Sequence, residues 1–229
     1  MIRLGRAVAA FALGVSFVPA FADPSAAQSA TDLKDVCKAV GDATLGQWAS
    51  FDATNPQGGG GGKIRLAVVG SERAGDTTLY WFEVNFAGAD AAHSGTLQIL
   101  NPSLAAGMAA PHAFVFKQAG QPAVKLSGAM AGVMGPKAGE QAAAFDWAGR
   151  CQGAHVVGWE SVTVPAGTFR TLHLTTDEGA EVWASKDVPF GIVKSRGKQG
   201  NMTLSAHGTG AKSSITEKPM EMPGLTTKP

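Results

Sequence analysis

Apolar and polar residues alternate along most of this chain, and a period of two is the signature of β-strands that are buried on one face. The clearest example is the segment 80–86, where four apolar side chains share one face: Tyr80, Phe82, Val84 and Phe86. The opposite face of that segment carries Glu83 and Asn85. Comparable short runs recur about every 8–12 residues from Leu45 to Ala206, which predicts about ten or eleven strands.

One stretch shows the spacing of an amphipathic helix instead. Between Thr31 and Val40, apolar side chains recur at i, i+3, i+4 and i+7: Leu33, Val36, Cys37 and Val40. Thr31 or Asp32 can cap the start of this helix, and Gly41 is suited to end it. Strands and helices do not alternate afterwards, which argues against a doubly wound parallel fold. The pattern therefore predicts an all-β, mainly antiparallel fold: a curved sheet or half-open barrel with one N-terminal helix against its concave side.

A tight connection is expected between the segments 155–164 and 169–176. Pro165 suits the first central position of a type I turn because its ring fixes φ near −65°. Gly167 suits the left-handed position that follows, where a side chain is strained. These two segments are therefore predicted to form a β-hairpin.

The N-terminus has the organisation of a cleavable export signal. Two arginines precede an apolar run over residues 7–18, and a small-x-small pattern at residues 20–22 stands directly before Asp23. The apolar run is too short to cross a hydrocarbon core of about 30 Å as a helix. We therefore predict a periplasmic protein that is cleaved after Ala22 and does not span the membrane.

Composition divides the whole chain into four segments. Residues 1–22 form the signal, 23–30 a small, polar and flexible lead-in, 31–211 a single β-rich domain, and 212–229 a loose tail without periodicity. Cleavage leaves 207 of the 229 residues and removes two arginines, so 17 basic residues face 18 acidic ones. Such a near-neutral chain lacks the concentrated positive charge that nucleic-acid binding or binding to an anionic membrane surface requires.

Cys37 and Cys151 are the only two cysteines, and 114 positions separate them. An even number of cysteines in an exported chain predicts a disulfide, here one that ties the helix to the sheet. The alternative is two separate buried thiols. A C-x-x-C motif is absent from the sequence, so a thioredoxin-like redox site is not supported.

The motifs that would indicate catalysis or metal binding fail in this sequence. The glycine run 58–62 before Lys63 lacks the first glycine and the hydroxyl residue of a phosphate-binding loop. His173 and Asp177 have a spacing that suits a metal only on a helix, whereas this segment alternates as a strand. The spacing of three glutamates identifies no acid–base pair: Glu160, Glu178 and Glu181. The sequence thus predicts no catalytic residue, no metal site and no cofactor.

Several motifs resemble those of exported bacterial β proteins of unknown function. The residues are Glu-Ser-Val-Thr-Val-Pro-Ala-Gly-Thr-Phe at 160–169, the Trp-containing strand 182–185 and the Val-Pro-Phe-Gly-Ile-Val-Lys corner within 187–194. Gly-Gln-Trp at 46–48 and Tyr-Trp-Phe-Glu at 80–83 are similar to that group as well. The hairpin is more loosely similar to periplasmic lipoprotein carriers of the LolA and LolB type, whose half-open barrel encloses an apolar cavity. That resemblance implies a carrier or binding fold and transfers no catalytic residue.

The sequence supports three functional hypotheses. The first is a non-enzymatic binding protein of the cell envelope that holds a lipid or lipoprotein acyl chain in a cleft lined by Tyr80, Phe82, Val84 and Phe86. The second is a structural or interaction module with a filled core and no ligand. The third is a hydrolase whose site arises only from long-range contacts. The sequence does not indicate a protein partner.

The export prediction can be checked by mass. The mature protein should begin at Asp23, because signal peptidase recognises the small residues at 20 and 22. Intact-mass measurement of periplasmic material should give the mass of residues 23–229. Recovery of protein that retains Met1 in the membrane fraction would contradict the prediction.

Overall fold

The structure is a computed structural model, and it describes residues 24–54, 61–88, 90, 93–103, 111–127, 151–198 and 200–221. The predicted export signal over residues 1–22 lies outside the described residues, as does the last part of the predicted tail, residues 222–229.

An N-terminal helix, α1 (Pro24–Gly41), precedes one sheet that contains twelve strands in the described part of the chain. The strands are β1 (Trp48–Thr54), β2 (Gly62–Ala74), β3 (Thr77–Ala87), β4 (Gly95–Asn101), β5 (Ala113–Gln118), β6 (Val124–Ser127), β7 (His155–Val164), β8 (Gly167–Thr175), β9 (Glu181–Ala184), β10 (Ile192–Gly197), β11 (Gly200–Gly208) and β12 (Met220–Glu221). Their order across the sheet is β12-β6-β5-β4-β3-β2-β1-β11-β10-β9-β8-β7. All neighbours are antiparallel except β12 and β6. The predicted fold class is confirmed.

The sheet curls strongly at the end that contains β7 to β11. The backbone N–H of Ala166, at the tip of the β7–β8 hairpin, donates to the carbonyl oxygen of Leu204 in β11 at 3.3 Å. Since β8 lies three places from β11 in the sheet, this contact requires the strands between them to curve. Register shifts beside Val68, Val156, Phe51 and Ile192 contribute, because a bulge increases local twist and bends a strand.

Helix α1 lies on the concave side of the sheet, as predicted. Val36 and Cys37 are buried against Leu172 and Leu174 of β8. The disulfide between Cys37 and Cys151 joins the helix to the segment that leads into β7, which confirms the predicted bridge.

The helix begins earlier than the sequence pattern indicated. It starts at Pro24 rather than at Thr31, so the predicted flexible lead-in is wrong over residues 24–30. Proline is well tolerated in the first turn of a helix, and alanine, which occurs at three of these positions, has the highest helix propensity. The apolar period alone could not reveal this first part of the helix.

The predicted loose tail is also wrong over its described part. Residues 211–221, here called the C-terminal strap, cross the outer, convex face of the sheet. Ile215 is 8% exposed and packs against Val115 and Ala123, and β12 adds a parallel strand beside β6. One buried isoleucine and a few backbone hydrogen bonds order this segment, and such a segment has no apolar period to detect.

The β7–β8 hairpin is confirmed. Val164 pairs with Gly167 across the two-residue turn, and Gly167 has a φ of 135°. A Cβ at Gly167 would come no closer than 3.7 Å to Phe169, so the side chain is excluded by backbone strain and not by a clash.

Replacing this glycine should therefore destabilise the protein. Gly167→Val should lower the free energy of unfolding by about 1–3 kcal/mol, since a β-branched residue is strained at that φ. Ser161→Val, on an exposed extended position of β7, is the matched control and should change little. Guanidinium unfolding measures both; equal stability of the two variants would show that the turn is misassigned.

Candidate functional site

The registers of β2 to β6 align apolar residues into two rows across the inner, concave face of the sheet. The first row consists of Leu66, Val84, Leu97, Phe116 and Val124. The second row consists of Val68, Phe82, Ile99, Phe114 and Leu126. Directly paired residues in neighbouring strands point to the same face, so each row is a continuous apolar strip.

In the first row, burial is greatest at the β2 end and lowest at Phe116 in β5. Leu66 and Val84 are buried, Leu97 is half-buried, Phe116 is 45% exposed and Val124 is half-buried. In the second row, burial persists as far as Phe114 in β5. The concave face is thus filled at its centre and becomes accessible to solvent at Phe116.

The filled part of the face is covered by elements from the C-terminal half. Val164 from the β7–β8 hairpin and Phe190 from the 3₁₀ turn at Pro189–Gly191 join the core cluster that contains Phe82. Phe190 has a φ of 62°, an uncommon value for a residue other than glycine, and its ring is buried. This strained backbone conformation places the aromatic ring of Phe190 in the core.

The four residues predicted to line an apolar cleft share the inner face, but their surroundings differ. Phe82 and Val84 belong to the filled core, and Phe82 is 3% exposed. Tyr80 is half-buried against that core, with its ring centre 6.4 Å from that of Phe82. The half-buried ring of Phe86 lies so close to Gly95 that a Cβ there would approach it to 2.9 Å. The open part of the face therefore lies further along the row, at Phe116.

A polar cluster that the sequence analysis missed lies on the outer face of β7, β8 and β9. The rings of His173 and Trp183 stack at 4.5 Å between centres, with an angle of 14° between their planes. Trp183 Nε1 donates a hydrogen bond to Glu160 Oε1. The two ring nitrogens of His173 face Glu160 and Glu181 at 3.2 Å and 3.3 Å. Only the register of three strands brings these residues together, and the sequence does not show it.

The four tryptophans in the described ranges share a second feature that sequence spacing did not reveal. Each indole N–H donates to an acceptor, and each ring has a cation within 5.8 Å of its centre. The pairs are Arg65 with Trp48, Lys125 with Trp81, Arg170 with Trp159, and both Lys194 and Arg196 with Trp183. These contacts occupy the rings with partners from the chain itself, which supports a structural role for them.

The outer face of β3 contains a buried carboxylate. The Glu83 side chain is fully buried, and its Oε2 accepts hydrogen bonds from Gln98 Nε2 at 2.8 Å and from the Ser214 backbone N–H at 2.9 Å. Oε1 has no hydrogen-bond partner within the described residues, and the Arg65 guanidinium lies 4.0 Å away. Glu83 therefore fixes the position of the C-terminal strap.

The strap is also held at its exposed end. Lys117 Nζ lies 2.6 Å from Glu217 Oε1, and this hydrogen bond is the main reason why the pKa of Glu217 lies below its ordinary value. Because the pair is at the surface, its contribution to stability is small.

A surface pocket of about 420 Å³ lies between α1 and the corner before the 3₁₀ turn. Its charged residues are of both signs: Asp35, Lys38, Asp42, Lys186 and Asp187. Across the described ranges, three or more histidine, cysteine or acidic residues never come close enough together to hold a metal ion. Nor does any helix there have the length and hydrophobicity needed to cross a bilayer.

Comparisons with known proteins add little to this geometry. No protein-family model matches the chain, and a search of curated proteins finds no match. The chain is similar to a solved protein from Bacteroides fragilis that is provisionally described as exported and as having a YmcC-like fold. The likeness has a TM-score of 0.34 and 13% identity, and covers 73% of this chain and 97% of that one. A likeness this weak supports no conclusion about function.

The division of the inner face can be tested by truncating one residue at each end of it. Phe82→Ala should lower the free energy of unfolding by about 3–5 kcal/mol, because it leaves a cavity in the filled core. Phe116→Ala should cost about 1 kcal/mol or less, because that ring is already partly in water. Guanidinium unfolding of both variants is the measurement. Similar losses of unfolding free energy in the two variants would contradict the division into a filled part at Phe82 and an open part at Phe116.

Proposed function

We propose that this protein is an exported, non-enzymatic binding protein of the cell envelope that holds a lipid or lipoprotein acyl chain on its concave face. The observation that carries the proposal is the first row, an apolar strip that runs from the filled core to the exposed ring of Phe116. Exposed apolar surface in line with a core is the kind of surface that ligands and partners bind.

Binding along this row needs no chemical step. The row crosses β3 to β6, a span of about 14 Å at a strand spacing of about 4.8 Å. An extended acyl chain of moderate length fits that span. Each methylene group that binding removes from water contributes about 0.8 kcal/mol to the binding free energy. Leu97, Phe116 and Val124 would contact the chain, while Val84 would close the inner end of the strip.

Two features support a location in the envelope. The N-terminal sequence has the pattern of a signal cleaved after Ala22, and the Cys37–Cys151 disulfide is typical of proteins that fold outside the reducing cytoplasm. A periplasmic location is part of this proposal.

A second candidate is a structural or interaction module without a ligand. The burial of Phe82 and Val84 favours it, because half of the residues predicted to line a cleft belong to a filled core. The two candidates differ in the surface around Phe116: it binds an acyl chain in the first candidate and binds no ligand in the second.

Titration of a fluorescent fatty-acid probe into delipidated protein separates the two candidates. The wild type should bind saturably at micromolar protein, and Phe116→Asp should weaken binding by about tenfold or more, since it places a charge on the apolar strip. Val157→Asp is the matched control, because Val157 is an exposed apolar residue on the distant strand β7. Its binding should equal that of the wild type.

Circular dichroism should establish that all three proteins are folded. Absence of saturable binding by folded wild type would remove the carrier function and leave the structural module. Equal weakening by both aspartate variants would place the binding surface elsewhere.

A further inference from the structure

The C-terminal strap brings a side chain to the inner face of the sheet at its last strand. Strand β12 pairs in parallel with β6, with Met220 beside Val124. The backbone N–H of Met220 donates to the carbonyl oxygen of Ala123 at 2.8 Å. Because paired residues of neighbouring strands point to the same face, Met220 lies on the inner face next to Val124. The first row therefore continues across one more strand and ends at Met220.

The open end of the first row is thus larger than the ring of Phe116 alone. Met220 is 55% exposed and Phe116 is 45% exposed, and the half-buried Val124 lies between them. The extra strand lengthens the row by about 4.8 Å. A methionine side chain has three rotatable bonds and a polarisable sulfur, so it adapts to apolar ligands of different shapes. These three side chains form one accessible apolar patch at the edge of the sheet.

The contacts that hold the strap lie on the opposite, outer face. The backbone N–H of Ser214 donates to the buried carboxylate of Glu83 at 2.9 Å, and Ile215 is buried against Val115. Strand β12 is only two residues long, so its place beside β6 depends on these contacts. A change on the outer face should therefore alter the position of Met220 on the inner face.

We propose that the C-terminal strap forms the outer end of the acyl-binding strip and that Met220 contacts the ligand there. This inference rests on the proposed function, because it assigns a further part of the same site. An attached strap presents Met220 to the acyl chain, and a bound chain holds Met220 and with it β12. Attachment of the strap and binding of the ligand then favour each other, and such coupling is reciprocal.

Titration of a fluorescent fatty-acid probe into the delipidated protein tests the contact. Met220→Asp should weaken binding by about fivefold or more, because it places a charge at the end of an apolar strip. Thr216→Asp is the matched control, because Thr216 is an exposed residue of the same strap, and its affinity should equal that of the wild type. Circular dichroism should establish that each variant is folded.

Truncation on the outer face tests the coupling. Ile215→Ala removes a side chain that faces away from the strip, and it should still weaken binding of the probe by about fivefold. Thr216→Ala, its exposed neighbour, should bind like the wild type. Hydrogen exchange measured by mass spectrometry is the second readout: the probe should slow exchange in residues 211–221 of the wild type, but not in Met220→Asp.

The outcomes separate this inference from the proposed function. Wild-type affinity in Met220→Asp would overturn the inference and leave the proposed function standing. Wild-type affinity in Ile215→Ala, together with an exchange rate of the strap that the probe does not change, would also overturn it. Absence of saturable binding by the folded wild type would remove the proposed function and the inference with it. If Ile215→Ala does not fold, the exposed position 220 decides the matter alone.

Discussion

Burial of the concave face is the constraint on which the rest of the structure depends. A curled antiparallel sheet has one face that must be covered, and here the cover comes from α1, the hairpin tip and the 3₁₀ turn at Pro189–Gly191. Curvature and cover depend on each other, because the hairpin reaches Leu204 only if β8 to β11 bend, and it then closes the core over Phe82.

The disulfide stabilises the packing of α1 against the sheet. An isolated helix of 18 residues is only marginally stable in water, and most of its stability in a protein comes from the face it buries. Cys37 lies on that face, and its bond to Cys151 closes a loop of 114 residues, which limits the freedom of the unfolded chain. The bridge thus holds the cover in place over β8, while Glu83 and Ile215 hold the strap over the opposite face.

Local periodicity and composition were sufficient to predict the main elements of the fold. Alternation over 80–86 identified the inner face of β3, the spacing of Leu33, Val36 and Cys37 identified the buried side of the helix, and the cysteine count identified the bridge. The strap was missed because its order depends on one buried isoleucine and on hydrogen bonds to a distant carboxylate. The cluster around His173 was missed because a bulge beside Val156 sets the register between β7 and β8, and no local pattern reveals such a bulge.

The central claim is that the apolar inner face is filled at one end by the chain itself and binds an acyl chain at the other. Photo-crosslinking with a fatty acid that carries a diazirine group, followed by peptide mapping, tests this claim most directly. Adducts should concentrate in peptides from β4 to β6, above all in the one that contains Phe116. Adducts on the outer face around Trp183, or spread evenly over the chain, would contradict the account.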